Sequence, residues 1–239
     1  MSRPATGARV PAWDLPTRLF HWTLVLLLAT AWASFEFSEA LGDERLVYHR
    51  WNGLSLLTLI VWRVLWGLVG PGTARFATFV RGPAAALGYG RDVVRGVPRH
   101  FVGHNPLGAL LIVALLALVG TMGTLGLFTV EENELATGPL YRYAGEARAK
   151  VATSWHRFLF EPVLLALAAL HIAANVLYGL VKKEPLIAAM ITGDKPAADY
   201  EDAAGAAPLA RPGRRALVCL GAAVAIVFGT ILALGGKLP

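Results

Sequence analysis

The chain has 239 residues, of which 56% are hydrophobic and 16% charged, and its mean hydropathy is +0.54. That leaves too few polar residues to coat a soluble domain of this length. A net charge of +6 and a pI near 9.8 do not mark a nucleic-acid binder, because the basic residues fall between apolar runs instead of forming a patch interleaved with aromatics.

An N-terminal arm (residues 1–11) with Arg3 and Arg9 leads into the first apolar run, about 18–35. Arg3, Arg9 and the small-residue stretch Ala31-Trp32-Ala33-Ser34 also fit a secretory signal. The length of the run and its histidine favour a retained membrane span. Four more runs, about 49–70, 106–128, 157–181 and 215–235, reach the roughly 20 residues needed to cross about 30 Å of hydrocarbon. The second and third are joined by a loop in which residues 83–96 predict a short helix on the membrane surface. Residues 193–213, rich in Ala, Pro, Gly and Asp, predict a flexible linker ahead of the last run. The expected fold is an all-α membrane protein.

Loop charge alternates at every crossing. Arg3, Arg9 and Arg18 precede the first run, and Glu36, Glu39, Asp43 and Glu44 follow it. Arg75, Arg81, Arg91, Arg95 and Arg99 precede the third run, and Glu131, Glu132, Glu134 and Glu146 follow it. Lys182, Lys183, Arg211, Arg214 and Arg215 lie between the fourth and fifth. Positive loops stay inside, so the N-terminus is expected in the cytoplasm and the C-terminus outside.

A lone cysteine, Cys219, excludes an internal disulfide and a cysteine-based cluster, and no C-x-x-C-H motif is present. Four of six histidines fall in the runs: His21, His49, His156 and His171. An ionisable residue in a membrane helix is costly and usually faces the bundle interior. His156 and His171 are 15 residues apart, about 22 Å of rise and about 60° of rotation on a straight helix. His49 opens the second run level with His156, within the echoed patterns Tyr48-His49-Arg50-Trp51 and Trp155-His156-Arg157-Phe158. His21 lies 14 residues before Phe35, which is roughly 21 Å deeper and near the level of His171. Two pairs result, His49 with His156 and His21 with His171. Pro162 stands between the two histidines of the fourth run, where a kink would change the angle.

Two opposed imidazoles suit a haem iron used for electron transfer. Zinc would need about four converging ligands, twice what either level supplies. The haem must be held without a covalent link, and its propionates need cations. Arg50 and Arg157 flank the outer histidines, and Arg63 lies 14 residues after His49, at the inner level. For Arg63 the competing reading is snorkelling to the cytoplasmic surface. His100 and His104 precede the third run beside Gly103 and Pro106, which favours a loop or capping role over a metal site. Gly120, Gly123 and Gly126 point to close helix packing, with room for a flat macrocycle second. Trp13, Trp22, Trp51, Trp66 and Trp155 fall near predicted interfaces, as an aromatic belt would.

Several stretches carry a family likeness: Trp13-Asp14-Leu15-Pro16-Thr17-Arg18-Leu19-Phe20-His21-Trp22, His49-Arg50-Trp51-Asn52-Gly53, Trp62-Arg63-Val64-Leu65-Trp66-Gly67-Leu68-Val69-Gly70-Pro71, Gly103-His104-Asn105-Pro106-Leu107-Gly108 and Leu170-His171-Ile172-Ala173-Ala174. Together they resemble the bacterial cytochrome b561 and nickel–iron hydrogenase cytochrome b family over about residues 12–195. The resemblance implies a four-helix core with two non-covalent haem b groups and His21, His49, His156 and His171 as axial ligands. The sequence departs from the family's smoother fourth helix at Glu161-Pro162. A linker (196–213) and a fifth helix (214–239) lie outside the shared core.

The resemblance implies an inner-membrane cytochrome that relays electrons between the quinone pool and a periplasmic redox protein: a hydrogenase, another dehydrogenase or a soluble cytochrome. A self-contained superoxide:quinone oxidoreductase is an alternative, with Arg45, Arg50, Lys150 and Arg157 steering the anion. A haem-free transporter or anchor is another.

Overall fold

The computed structural model describes residues 8–37, 42–131, 137–206 and 211–239. Residues 1–7 of the arm with Arg3, the acidic residues Glu39, Glu132 and Glu134, and linker residues 207–210 lie outside the described residues.

Among the described residues, five helices are long and apolar enough to cross a membrane: Leu15–Glu36, Arg45–Val69, Pro106–Gly126, Tyr141–Val181 and Pro212–Ala233. The first begins where Asp14 caps it, its Oδ1 accepting the Thr17 amide at 2.8 Å. The third begins with Pro106 at its first position, and the Oδ1 of Asn105 takes the Gly108 amide at 2.8 Å. Both caps lie in stretches that carry the family likeness.

The fourth helix departs from expectation. It starts at Tyr141, not near 157, and the added turns carry Arg142, Glu146, Arg148 and Lys150. Within this extension Gly145 breaks the helix with φ 69°, a conformation that suits glycine. Leu159–Leu164 form a π-helical segment around Pro162. Proline cannot donate into the α ladder, and the wider turn absorbs about one extra residue. The 60° angle counted from a straight helix between His156 and His171 is therefore off by about 100°.

The chain forms two compact units. The first comprises Met1–Leu19, Val64–Ala114 and Ala168–Leu217. In it, Ala12, Trp13, Val102 and Ala189 form a buried cluster, and strand β1 (Arg9–Pro11) pairs antiparallel with β2 (Asp194–Pro196), Val10 opposite Lys195. Trp66 is 0% exposed, and its indole N–H lies 3.2 Å from both Asp14 Oδ2 and Thr17 Oγ1. Trp13 is also buried, against His104. Trp13 and Trp66 are thus core residues rather than belt residues, because each indole finds packing or an acceptor inside the fold. Trp22, Trp51 and Trp155 are exposed.

The expected flexible linker carries more structure than its composition suggests. Lys195 is 1% exposed and donates to the Phe101 carbonyl at 2.9 Å, and burial lowers its pKa. Asp202 accepts the amides of Val102 and Gly103, and Arg99 forks onto both carboxylate oxygens of Glu201. The segment's backbone and charges are held by partners that lie roughly a hundred residues away in sequence. In the same unit a helix spans Pro83–Val94, within the segment expected to form one, and its buried Tyr89 phenol meets Tyr178 at 3.2 Å.

The second unit comprises Phe20–Arg63, Leu115–Leu167 and Val218–Pro239. Its first and second helices run antiparallel, with Phe20 stacked on Trp62, Thr30 beside Asn52 and Phe35 against His49. The glycines of the third helix admit the second, since a Cβ at Gly120 would meet Ile60 at 3.3 Å and one at Gly123 would meet Leu57 at 3.4 Å. Leu54 on the second helix packs with Val227 and Ile231 of the fifth, among Leu57, Val61 and Phe228. With 100° per residue, Leu54, Leu57 and Val61 lie roughly 80–140° round from His49. The fifth helix therefore covers a face of the second that is turned away from its histidine.

Candidate functional site

Within the second unit the His49 and His156 rings lie with centroids 6.1 Å apart and planes at 80°. Each ring is anchored through Nδ1. His49 Nδ1 is 3.3 Å from the Ala31 carbonyl and 3.3 Å from Ser34 Oγ, and that hydroxyl itself donates to the same carbonyl at 2.7 Å. His156 Nδ1 donates to the Met122 carbonyl at 2.9 Å. A carbonyl only accepts, so both Nδ1 atoms carry the proton, and Nε2 is the nitrogen left with a lone pair on each ring.

This is the arrangement of metal-ligating histidines, in which a backbone acceptor fixes tautomer and ring orientation. Imidazole–metal bonds are about 2.0 Å, so two rings on opposite sides of one metal have ligating nitrogens about 4 Å apart and centroids about 6 Å apart. The observed separation matches. Phe35 stands edge-on against His49 at 4.6 Å. Gly126 lies close to His156, since a Cβ there would stand 3.5 Å from the ring. The donor set and its spacing fit a haem iron.

Sequence reasoning missed Ser34 and the carbonyls of Ala31 and Met122. Ser34 was open to discovery, lying one residue before the Phe35 used to set depth. The carbonyls have no signature in side-chain identity.

Of the proposed propionate partners, Arg50 is part-buried and donates to the Thr137 carbonyl at 2.8 Å, which fixes its guanidinium one residue from His49. Arg157 is exposed. Arg63 is 3% exposed, so its guanidinium does not snorkel to the surface. The register of Phe20 on Trp62 sets His21 level with the Val61–Arg63 turn, and His21 itself packs edge-on against Trp22 at 4.9 Å.

In the first unit, His171 has Asn175 one turn away, its amide 3.4 Å from Nε2 and donating to the His171 carbonyl at 2.7 Å. His100 Nδ1 meets Glu184 Oε1 at 2.8 Å, and His104 is wedged between Trp13 at 4.8 Å and Phe79 at 4.6 Å. These two histidines thus have separate, structural surroundings. Arg45 pairs with Glu131 at 2.8 Å and Lys150 with Glu146. Two of the four charges considered for anion steering are thereby held by carboxylates.

The family model described as Prokaryotic cytochrome b561 matches residues 12–193. Among curated proteins none matches, and none does among solved structures. The fifth helix falls outside the matched region.

Proposed function

The chain belongs to the prokaryotic cytochrome b561 family, which makes it a multi-pass membrane b-type cytochrome of electron transfer, and from that premise we propose a specific role for it. It binds two haem b groups and conducts electrons across the bacterial inner membrane, between a periplasmic redox protein and the quinone pool. His49 with His156 holds the outer haem, and His21 and His171 are the ligands that the sequence offers for the inner one. The N-terminus is cytoplasmic, as the loop charges favour. The observation that carries the reading is the His49–His156 pair, with ring centroids 6.1 Å apart and both Nδ1 atoms tied to carbonyls.

When bound, the haem iron supplies one-electron chemistry. The chain supplies the setting. His49 and His156 present Nε2 as ligands, and the Ala31 and Met122 carbonyls hold the rings in that tautomer. His49 and His156 would hold the haem between two imidazoles, a ligand set that would suit electron transfer rather than oxygen binding. Arg50 and Arg157 at the outer level and the buried Arg63 at the inner level offer positive charge to propionates. Phe35 packs edge-on against the His49 ring.

A self-contained superoxide:quinone oxidoreductase would draw on free surface charge, and the pairing of Arg45 and Lys150 disfavours it. The test uses the purified full-length protein. A short-chain quinol is expected to reduce its haem, and oxidised soluble redox protein added afterwards to reoxidise it. Quinone reduction driven by superoxide with no protein partner would contradict the proposed role.

A further inference from the structure

Beside the Pro83–Val94 helix of the first unit lies an open groove of about 590 Å³ that nothing above uses. Leu87, Gly90, Arg91 and Val94 line it at the spacing that shares one helix face, and Leu107 closes it from the first turn of the third membrane helix. Leu87 is 64% exposed and Val94 is 89% exposed. Gly90 forms the floor, since a Cβ there would meet only Leu107 Cδ1, at 3.8 Å.

Arg91 and Arg95 stand one turn apart at the end of this apolar track. The neighbouring carboxylate, Asp92, is turned to Arg99 at 2.9 Å. Among the described residues no carboxylate pairs with Arg91 or Arg95. Because Leu107 belongs to the turn with which a membrane helix begins, the groove lies where acyl chains meet headgroups.

We propose that this groove is a binding site for an acidic phospholipid, with an acyl chain along Leu87, Gly90, Val94 and Leu107 and the phosphate between Arg91 and Arg95. Charge complementarity selects the occupant. A basic pair beside an apolar track at headgroup depth matches an anionic headgroup with its chain, and a zwitterionic lipid satisfies only the track. The site depends on the membrane reading of the chain and not on its haems.

The test is native mass spectrometry of the purified full-length protein after exchange into equal amounts of phosphatidylglycerol and phosphatidylethanolamine. Two arginines near the surface favour the anionic lipid by about 30-fold, and Arg91→Gln/Arg95→Gln is expected to bring the ratio within about three-fold. Gly90→Phe keeps the charges, fills the floor and is expected to lower retention of both lipids. Unchanged haem content serves as the check of folding. Equal retention of the two lipids by the unaltered protein overturns the site. So does a preference untouched by the double substitution, or retention unaffected by Gly90→Phe. If the double variant does not fold, the unaltered protein and Gly90→Phe still decide.

Discussion

His49 and His156 come from different membrane helices, yet their rings stand 6.1 Å apart, each tied by Nδ1 to a backbone carbonyl of a neighbouring helix. Backbone carbonyls inside a helix are normally committed to its own ladder. Lending a second lone pair to an imidazole lets the bundle fix a ring without adding a polar side chain to an apolar interior. The pair is thus built from four helical positions, of which only two are visible as histidines.

Ser34 reinforces this arrangement by touching both His49 Nδ1 and the Ala31 carbonyl. Ser34→Ala is expected to keep the outer haem but weaken its binding by about ten-fold, within the range for partners that orient a ligand. Haem titration of the apo-protein checks this, and unchanged affinity would remove Ser34 from the site.

Gly126 faces His156 with little room to spare. Gly126→Ala places its Cβ at an ordinary contact distance and is expected to be tolerated. Gly126→Leu would press on the ring and displace it, with loss of one haem per chain in the absorption spectrum. Full haem in the leucine variant would mean that the ring has freedom the packing does not suggest.

Asp14 serves two helices at once, capping the first and accepting from Trp66 of the second. Asp14→Ala is expected to cost about 1–2 kcal/mol, seen as a lower unfolding temperature with haem content intact. The remaining acceptor for the indole is Thr17, so Asp14→Ala/Thr17→Val should cost more than either substitution alone.

Removing residues 212–239 tests the fifth helix. It covers the face formed by Leu54, Leu57 and Val61, and lipid tails are as apolar as the helix they would replace. The truncated chain is therefore expected to keep both haems, with lower thermal stability. Haem loss on truncation would give the fifth helix a part in the site.

The Arg99–Glu201 pair predicts a pH dependence. Arg99 holds the Glu201 carboxyl below its ordinary range, so its contribution is complete above about pH 4.5 and fades as pH falls through the lowered value. The pair is largely exposed, so Glu201→Gln should cost under about 1 kcal/mol at neutral pH. The unfolding temperatures of the two proteins should converge in acid. A constant gap would assign the effect to packing instead.

Much of this was legible in the sequence, for stated reasons. Apolar run length gave the five spans, since crossing hydrocarbon leaves helices no alternative. The place of His49 and of His156 at the outer ends of their spans put the two at one level. The start of the fourth helix was hidden because Arg142, Glu146, Arg148 and Lys150 mark a helix continuing past the apolar run. Pro162 announced a disturbance but not its π form. Trp13 and Trp66 misled because composition does not separate a buried indole with an acceptor from one at an interface. The segment around Lys195, Glu201 and Asp202 looked unstructured because its partners lie far away in sequence.

The central claim meets its most direct test in the reduced-minus-oxidised absorption spectrum, quantified as haem per chain for the purified protein and for single alanine substitutions. Two haems in the unaltered chain, falling to one in His49→Ala, His156→Ala, His21→Ala and His171→Ala alike, is the expected result. A chain that carries no haem, or a His49→Ala variant that retains two, would contradict it.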